Sequence, residues 1–117
     1  MKKVLAITII TVLCLASCKT QKTNTLYSWD NYSITSYNYL KNSDKKATQD
    51  LMKTYQSIIN KQTGTRKTVP PGVYADYGFL LLQADKIEEG KEMLEKEIAL
   101  YPESIMFITR ILKMIEQ

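Results

Sequence analysis

The sequence predicts an all-α protein of about five helices, and three observations carry that expectation. Apolar residues recur at helical spacing between Lys45 and Gln62, and again between Glu103 and Glu116. Between these stretches, Pro71 to Pro102 reads as a helix, a short turn and a second helix, bounded by proline at both ends. Gly78 and Gly90 stand where those two helices would have to touch, and a residue without Cβ lets backbones approach closely.

The chain of 117 residues opens with MKKVLAITIITVLCLASC. Lys2 and Lys3 form a positive start, Val4 to Leu13 an apolar run, and Leu15-Ala16-Ser17-Cys18 a small-residue processing site. A run of about a dozen apolar residues is too short for a hydrocarbon core, which takes roughly twenty, so a signal peptide fits and a spanning anchor does not. Small residues running straight into a cysteine resemble the lipobox of bacterial lipoproteins. That resemblance implies cleavage after residue 17 and Cys18 as the first mature residue, carrying a diacylglyceryl group and an N-acyl chain. Two or more chains make a stable anchor where one gives only reversible binding. Cys14 follows Ile10-Thr11-Val12-Leu13 and lacks the small pair that precedes Cys18. With Cys14 removed and Cys18 acylated, no disulfide is expected.

Residues 18–25 (CKTQKTNT) are polar and without periodicity, and are expected to tether the lipid to a helical domain over 26–117. Lys19, rather than Asp, follows the lipidated cysteine. In the lipoprotein family this implies sorting to the periplasmic face of the outer membrane rather than retention at the inner one.

The first expected helix, Leu26 to Asn42, places Trp29, Tyr32, Ser36 and Leu40 on one face. Five of the eight tyrosines lie between Tyr27 and Tyr55. Such a cluster is either core or a ligand platform. Trp29 and Tyr32 are expected in the core, with Tyr37 and Tyr39, on other faces, open to either role. Asn42-Ser43-Asp44 is a turn with Ser43 or Asp44 as the next N-cap. The following helix runs from Lys45 to about Gln62, with Ala47, Leu51, Thr54, Tyr55, Ile58 and Ile59 inward and Gly64 closing it. Thr63 to Pro71 is then a loop with Arg66 and Lys67 at its tip.

Tyr74-x2-Tyr77-Gly78-x2-Leu81, followed by Gly90-x3-Leu94 and Pro102, is similar to the tetratricopeptide pattern over one thirty-four-residue repeat. The resemblance implies an antiparallel helix pair seamed by Tyr74, Tyr77, Leu81, Leu94 and Ile98. Glu97 stands where the repeat usually has a small residue, so looser packing of the next helix is expected there. The last element, with Ile105, Ile108, Ile111, Leu112 and Ile115 at helical spacing, resembles the capping helix of a helical array.

Trp29-x2-Tyr32-Ser33-x2-Ser36 looks like the diverged opening of an earlier unit. Tyr27-x-Trp29-x-x-Tyr32 and the PPG to YPES region together resemble a small bacterial envelope lipoprotein family catalogued as a domain of unknown function. Many of its members have Gly after the Trp, where this chain has Asp30. That likeness implies an envelope lipoprotein, often encoded near a curli-secretion-like lipoprotein, and no known activity.

The composition argues against catalysis. There is no histidine, which removes the commonest general base and metal ligand, and no phosphate loop or nucleophile elbow appears. No enzyme activity, metal or cofactor is expected beyond the lipid on Cys18. From Lys19 to Pro70 nine Lys/Arg face three Asp, a balance of +6, whereas Pro71 to Gln117 carries five Lys/Arg against nine Asp/Glu, a balance of −4. The modest net charge and the export signal disfavour nucleic acid. A non-catalytic adaptor is the expected role, with membrane and envelope proteins as partners. The repeat places Ala75, Phe79, Leu82 and Gln83 on its concave side, joined by Asp30, Ile34, Tyr37 and Asn38 of the earlier unit. Phe79 and Leu82 are apolar residues that the seam does not require. The alternatives are a periplasmic binding protein for a small ligand beside the tyrosines, or a subunit that stacks on itself, basic half to acidic half.

Overall fold

The computed structural model describes residues 1–4 and 24–116. The processing site, Cys18 and most of the expected tether lie outside the described residues. The described chain is all-helical: α1 (Tyr32–Asn42), α2 (Lys45–Asn60), α3 (Val73–Gln83), α4 (Ile87–Leu100), a 3-10 turn (Pro102–Ser104) and α5 (Ile105–Ile115). Among the described residues no helix is long and apolar enough to cross a membrane.

α1 starts six residues later than the periodicity predicts, because residues 25–28 have other hydrogen-bond partners. They lie as a strap along the loop after α2, where the Thr65 N–H donates to the Thr25 carbonyl (3.0 Å) and the Arg66 N–H to that of Leu26 (3.1 Å). Asp30 then takes a left-handed conformation (φ 47°), which Asp tolerates better than most residues, and the helix begins beyond it. Ser43, also left-handed, ends α1. Of the two candidate caps it is Asp44 that starts α2, its carboxylate accepting from the Ala47 N–H at 2.7 Å.

α2 ends at Asn60, and Gly64 is not its terminator. The Gln62 side chain closes the helix instead, donating to the carbonyls of Ile58 (3.0 Å) and Ser28 (2.9 Å), so that one amide both caps α2 and pins the strap. Gly64 sits beneath the strap, where a Cβ would run into the backbone of Leu26 and Tyr27.

α3 and α4 pack antiparallel across the turn at Ala84–Lys86. At their crossing a Cβ on Gly78 would lie 2.9 Å from the Gly90 carbonyl oxygen and 3.2 Å from the Leu94 and Met93 side chains. Alanine at position 78 gains about 1 kcal/mol of helix propensity, but overpacking against an immovable carbonyl costs about 1–3 kcal/mol. Gly78→Ala is therefore expected to lower the urea midpoint, and so is Gly90→Ala, whose Cβ would meet the Leu82 side chain at 2.7 Å and the Gly78 carbonyl oxygen at 3.0 Å.

The core joins Leu51, Tyr55 and Ile58 of α2 to Val73, Tyr77, Leu80 and Leu81 of α3, with Val69 from the loop between them. Leu94 of α4 and Ile108 of α5 extend it, both wholly buried. α5 closes the array, yet its outer side exposes Met106, Phe107 and Met114 beside Arg110 and Lys113.

Candidate functional site

α1 and α3 stand apart over α2 and leave an open groove of about 240 Å³ between them. One face of α1 supplies its first wall through Tyr32, Ser36, Tyr39 and Leu40, a spacing of i, i+4, i+7 and i+8. Leu51 and Tyr55, one turn apart on α2, form the floor. Asp76, Phe79 and Leu80, at i, i+3 and i+4 of α3, form the other wall.

Aromatic rings connect this groove to both the strap and the core. Tyr27 meets Trp29 edge-on (6.5 Å), Trp29 packs on Tyr32 (5.4 Å), Tyr32 on Tyr55 (5.8 Å) and Tyr55 on Tyr77 (6.2 Å), separations typical of stabilising ring pairs. The Tyr77 hydroxyl accepts from the Gln56 amide at 2.7 Å, which fixes the inner end of the row. At the outer end Arg66 donates to the Tyr27 hydroxyl (2.9 Å).

The groove's acidic group is Asp76, whose carboxylate accepts a long hydrogen bond (3.4 Å) from the Tyr55 hydroxyl. Asp76 is exposed as a residue, but the groove walls crowd its carboxyl, and this desolvation pushes its pKa up against the opposing pull of the Tyr55 hydroxyl. Burial, followed by the nearby Asp76 charge, pushes the Tyr55 phenol well above its ordinary range.

The wall bearing Asp76 is held from behind. Glu97 of α4, 2 % exposed, reaches back to the start of α3, where its carboxylate accepts from the N–H groups of Gly72 (2.7 Å) and Ala75 (3.3 Å). Gly72 is the N-cap position and has no side chain to do this itself (φ 88°). The residue expected to loosen packing is thus a strut that caps a helix and stabilises its positive end. Beside it, the Tyr101 hydroxyl donates to the Val69 carbonyl, and burial, then contact with Tyr27, pushes that phenol up to about 12.

The expected contact residues divide. Phe79 lines the groove and is 48 % exposed. Leu82 does not, because its side chain lies on Gly90 in the seam of the helix pair. Ala75 is half-buried at the capped end of α3, and Gln83 is exposed at the other end. Ile34 and Tyr37 are exposed but are not among the groove walls, and Lys41 lies over the Tyr37 ring at 5.8 Å. Among the repeat residues, Tyr77, Gly78, Leu81, Gly90 and Leu94 are buried, Tyr74 is half-buried and Pro102 opens the 3-10 turn.

Trp29 departs from its expected core position: it is 41 % exposed, since it belongs to the strap side of α1 rather than to the helix. Leu40 is also largely exposed, because among the described residues no helix closes over α1 on the groove side. Sequence reasoning missed Asp76, Leu80, Leu51 and Tyr55 as groove residues and left Tyr39 open between core and ligand platform. The signal for Tyr39 was its place seven residues after Tyr32.

Among the described residues no cluster of three metal-ligating side chains occurs. Comparison with curated proteins and with solved structures returned no match. The model of one family, a domain of unknown function (DUF4810), matches residues 26–111, from the strap through most of α5, and the chain belongs to that family.

Proposed function

We propose that the protein is a lipid-anchored, non-catalytic interaction module of the bacterial cell envelope. Cys18 carries the lipid, residues 18–25 form the tether, and the tetratricopeptide-like body presents its groove to a segment of an envelope protein, with a curli-secretion-like lipoprotein as the candidate. The observation that carries this reading is the open groove between α1 and α3, with Phe79 and Leu40 exposed on its opposite walls. Exposed apolar side chains framing a groove favour docking of a polypeptide. At about 240 Å³, the groove falls below the 300–1,000 Å³ that typically encloses a small ligand, which favours this reading over a small-molecule carrier.

Two measurements test the proposal. Mass spectrometry of the mature protein is expected to find a triacylated amino terminus at Cys18, and Cys18→Ser is expected to release the protein from membranes. Affinity capture from solubilised envelopes is expected to recover a specific partner that Phe79→Asp loses while the helical circular dichroism is unchanged. An unmodified Cys18 removes the anchor, and retention of every partner by Phe79→Asp moves the contact to another face.

A further inference from the structure

Asp76 has a polar partner in the Tyr55 hydroxyl and, among the described residues, no cationic one. The ion pairs among the described residues are Lys46–Asp50, Lys86–Glu89 and Lys96–Glu92, and none involves the groove. A carboxylate crowded by rings without a counter-charge is costly to ionise, and its raised pKa expresses that cost. The residues around it include Tyr32, Tyr55 and Phe79, aromatic rings whose faces attract cations and whose apolar surfaces accept methylene chains.

We infer that the occupant of the groove presents a lysine or arginine side chain, its charge held by Asp76 and its methylene stem laid along Tyr32, Tyr55 and Phe79. This rests on the groove being the docking surface proposed above and adds the chemistry of the docked segment. An acidic or phosphorylated segment would meet Asp76 with like charge. A purely apolar one would bury the carboxylate without a counter-charge, which is unfavourable. A basic residue with apolar neighbours satisfies both parts of the site, the charge at Asp76 and the apolar rims at Phe79 and Leu40.

The test uses the full-length protein and an eight-residue peptide of alternating leucine and lysine, compared with the same peptide fully acetylated on its lysines. Calorimetry gives the affinities, and the emission of Trp29, the one tryptophan, reports on the adjoining Tyr32 wall. The wild type is expected to bind the lysine peptide about 10-fold or more tightly than the acetylated one. Asp76→Asn, nearly isosteric, is expected to bring the two within about 2-fold, a loss of the charge-assisted bond alone. Phe79→Ser is expected to weaken both.

Equal affinity of the wild type for both peptides, or binding of neither, overturns the inference. So does a preference that survives Asp76→Asn, since the exposed acidic face of α4 (Glu88, Glu89, Glu92, Glu95) would then be its source. Equal affinities that still depend on Phe79 leave the groove as the docking surface. Binding indifferent to Phe79→Ser removes the groove itself.

Discussion

Glu97→Ala is expected to cost about 3 kcal/mol of folding stability, from two buried donors left without an acceptor at about 1–3 kcal/mol each, offset in part by relief of a buried charge. The N–H groups of Gly72 and Ala75 are the donors, and the glycine at the cap position offers no replacement acceptor. Glu97→Gln keeps the volume and one acceptor oxygen, but turns an N–H₂ toward a backbone donor and removes the charge facing the helix dipole. Its expected cost is about 1–2 kcal/mol. Urea unfolding checks both, with the midpoint falling in the order wild type, Gln, Ala at constant slope. For a domain of this size each 1 kcal/mol corresponds to about 4–8 °C in Tm. An alanine variant within about 0.5 kcal/mol of wild type would show that Glu97 is not a strut. Because α3 carries Asp76 and Phe79, the same variant is expected to weaken capture of a groove-dependent partner even at temperatures where it remains folded.

The elements that the sequence made legible are those whose evidence is local. The inward face of α2 follows from the spacing of Ala47, Leu51, Thr54, Tyr55 and Ile58, all of them buried. The seam of α3 and α4 follows from two glycines and a turn of three residues, and there Gly78 does face Gly90. What was not legible depends on segments distant in the chain. The strap is held against the body only because a loop some 35 residues away supplies its partners, and nothing in LYSWDN records that. Gly64 looked like a helix terminator because the strap that needs its bare Cα cannot be seen from its neighbours. The repeat's register puts Leu82 on the open face, although its side chain fills the space beside Gly90. Glu97 was visible as an anomaly, a charge where a small residue is usual. Its purpose was not, because the amides it serves belong to the start of another helix. The groove was half legible: the face of α1 was identified, but periodicity cannot distinguish a face that meets a core from one that meets a gap.

Gly64→Ala is expected to release the strap while leaving α3 and α4 in place. The added Cβ would collide with the Leu26 carbonyl and the Tyr27 Cα, and because both are backbone atoms no change of rotamer relieves it. Seven bonds hold the strap and are expected to lengthen or break: the N–H groups of Thr65 and Arg66 to the carbonyls of Thr25 (3.0 Å) and Leu26 (3.1 Å), the Ser28 N–H to Gln62 Oε1 (3.1 Å), the Ser28 hydroxyl to the Lys61 carbonyl (3.0 Å), the Gln62 amide to the Ser28 carbonyl (2.9 Å), the Thr63 N–H to Ser28 Oγ (3.2 Å) and Arg66 to the Tyr27 hydroxyl (2.9 Å). Since the strap can detach, the cost cannot exceed what the strap contributes. Hydrogen bonds at about 0.5–1.5 kcal/mol net each, with the packing of Tyr27 and Trp29, are set against the entropy of ordering four residues at about 1–2 kcal/mol each. A global loss of about 1–3 kcal/mol is therefore expected, together with a much larger local effect. Hydrogen exchange at the Thr65 and Arg66 amides should rise toward that of open chain, and Trp29 emission should shift to the red as its contacts with Tyr27 and Tyr32 loosen. Amide protection and emission identical to wild type would show that the strap does not depend on Gly64. If the protein is anchored at Cys18, the strap is also where the tether joins the folded body, so its release would lengthen the tether by the strap's own residues. The groove wall on α1 would then lose the Trp29 support that orients Tyr32, and a groove-dependent partner should dissociate faster from the Gly64→Ala protein than from wild type.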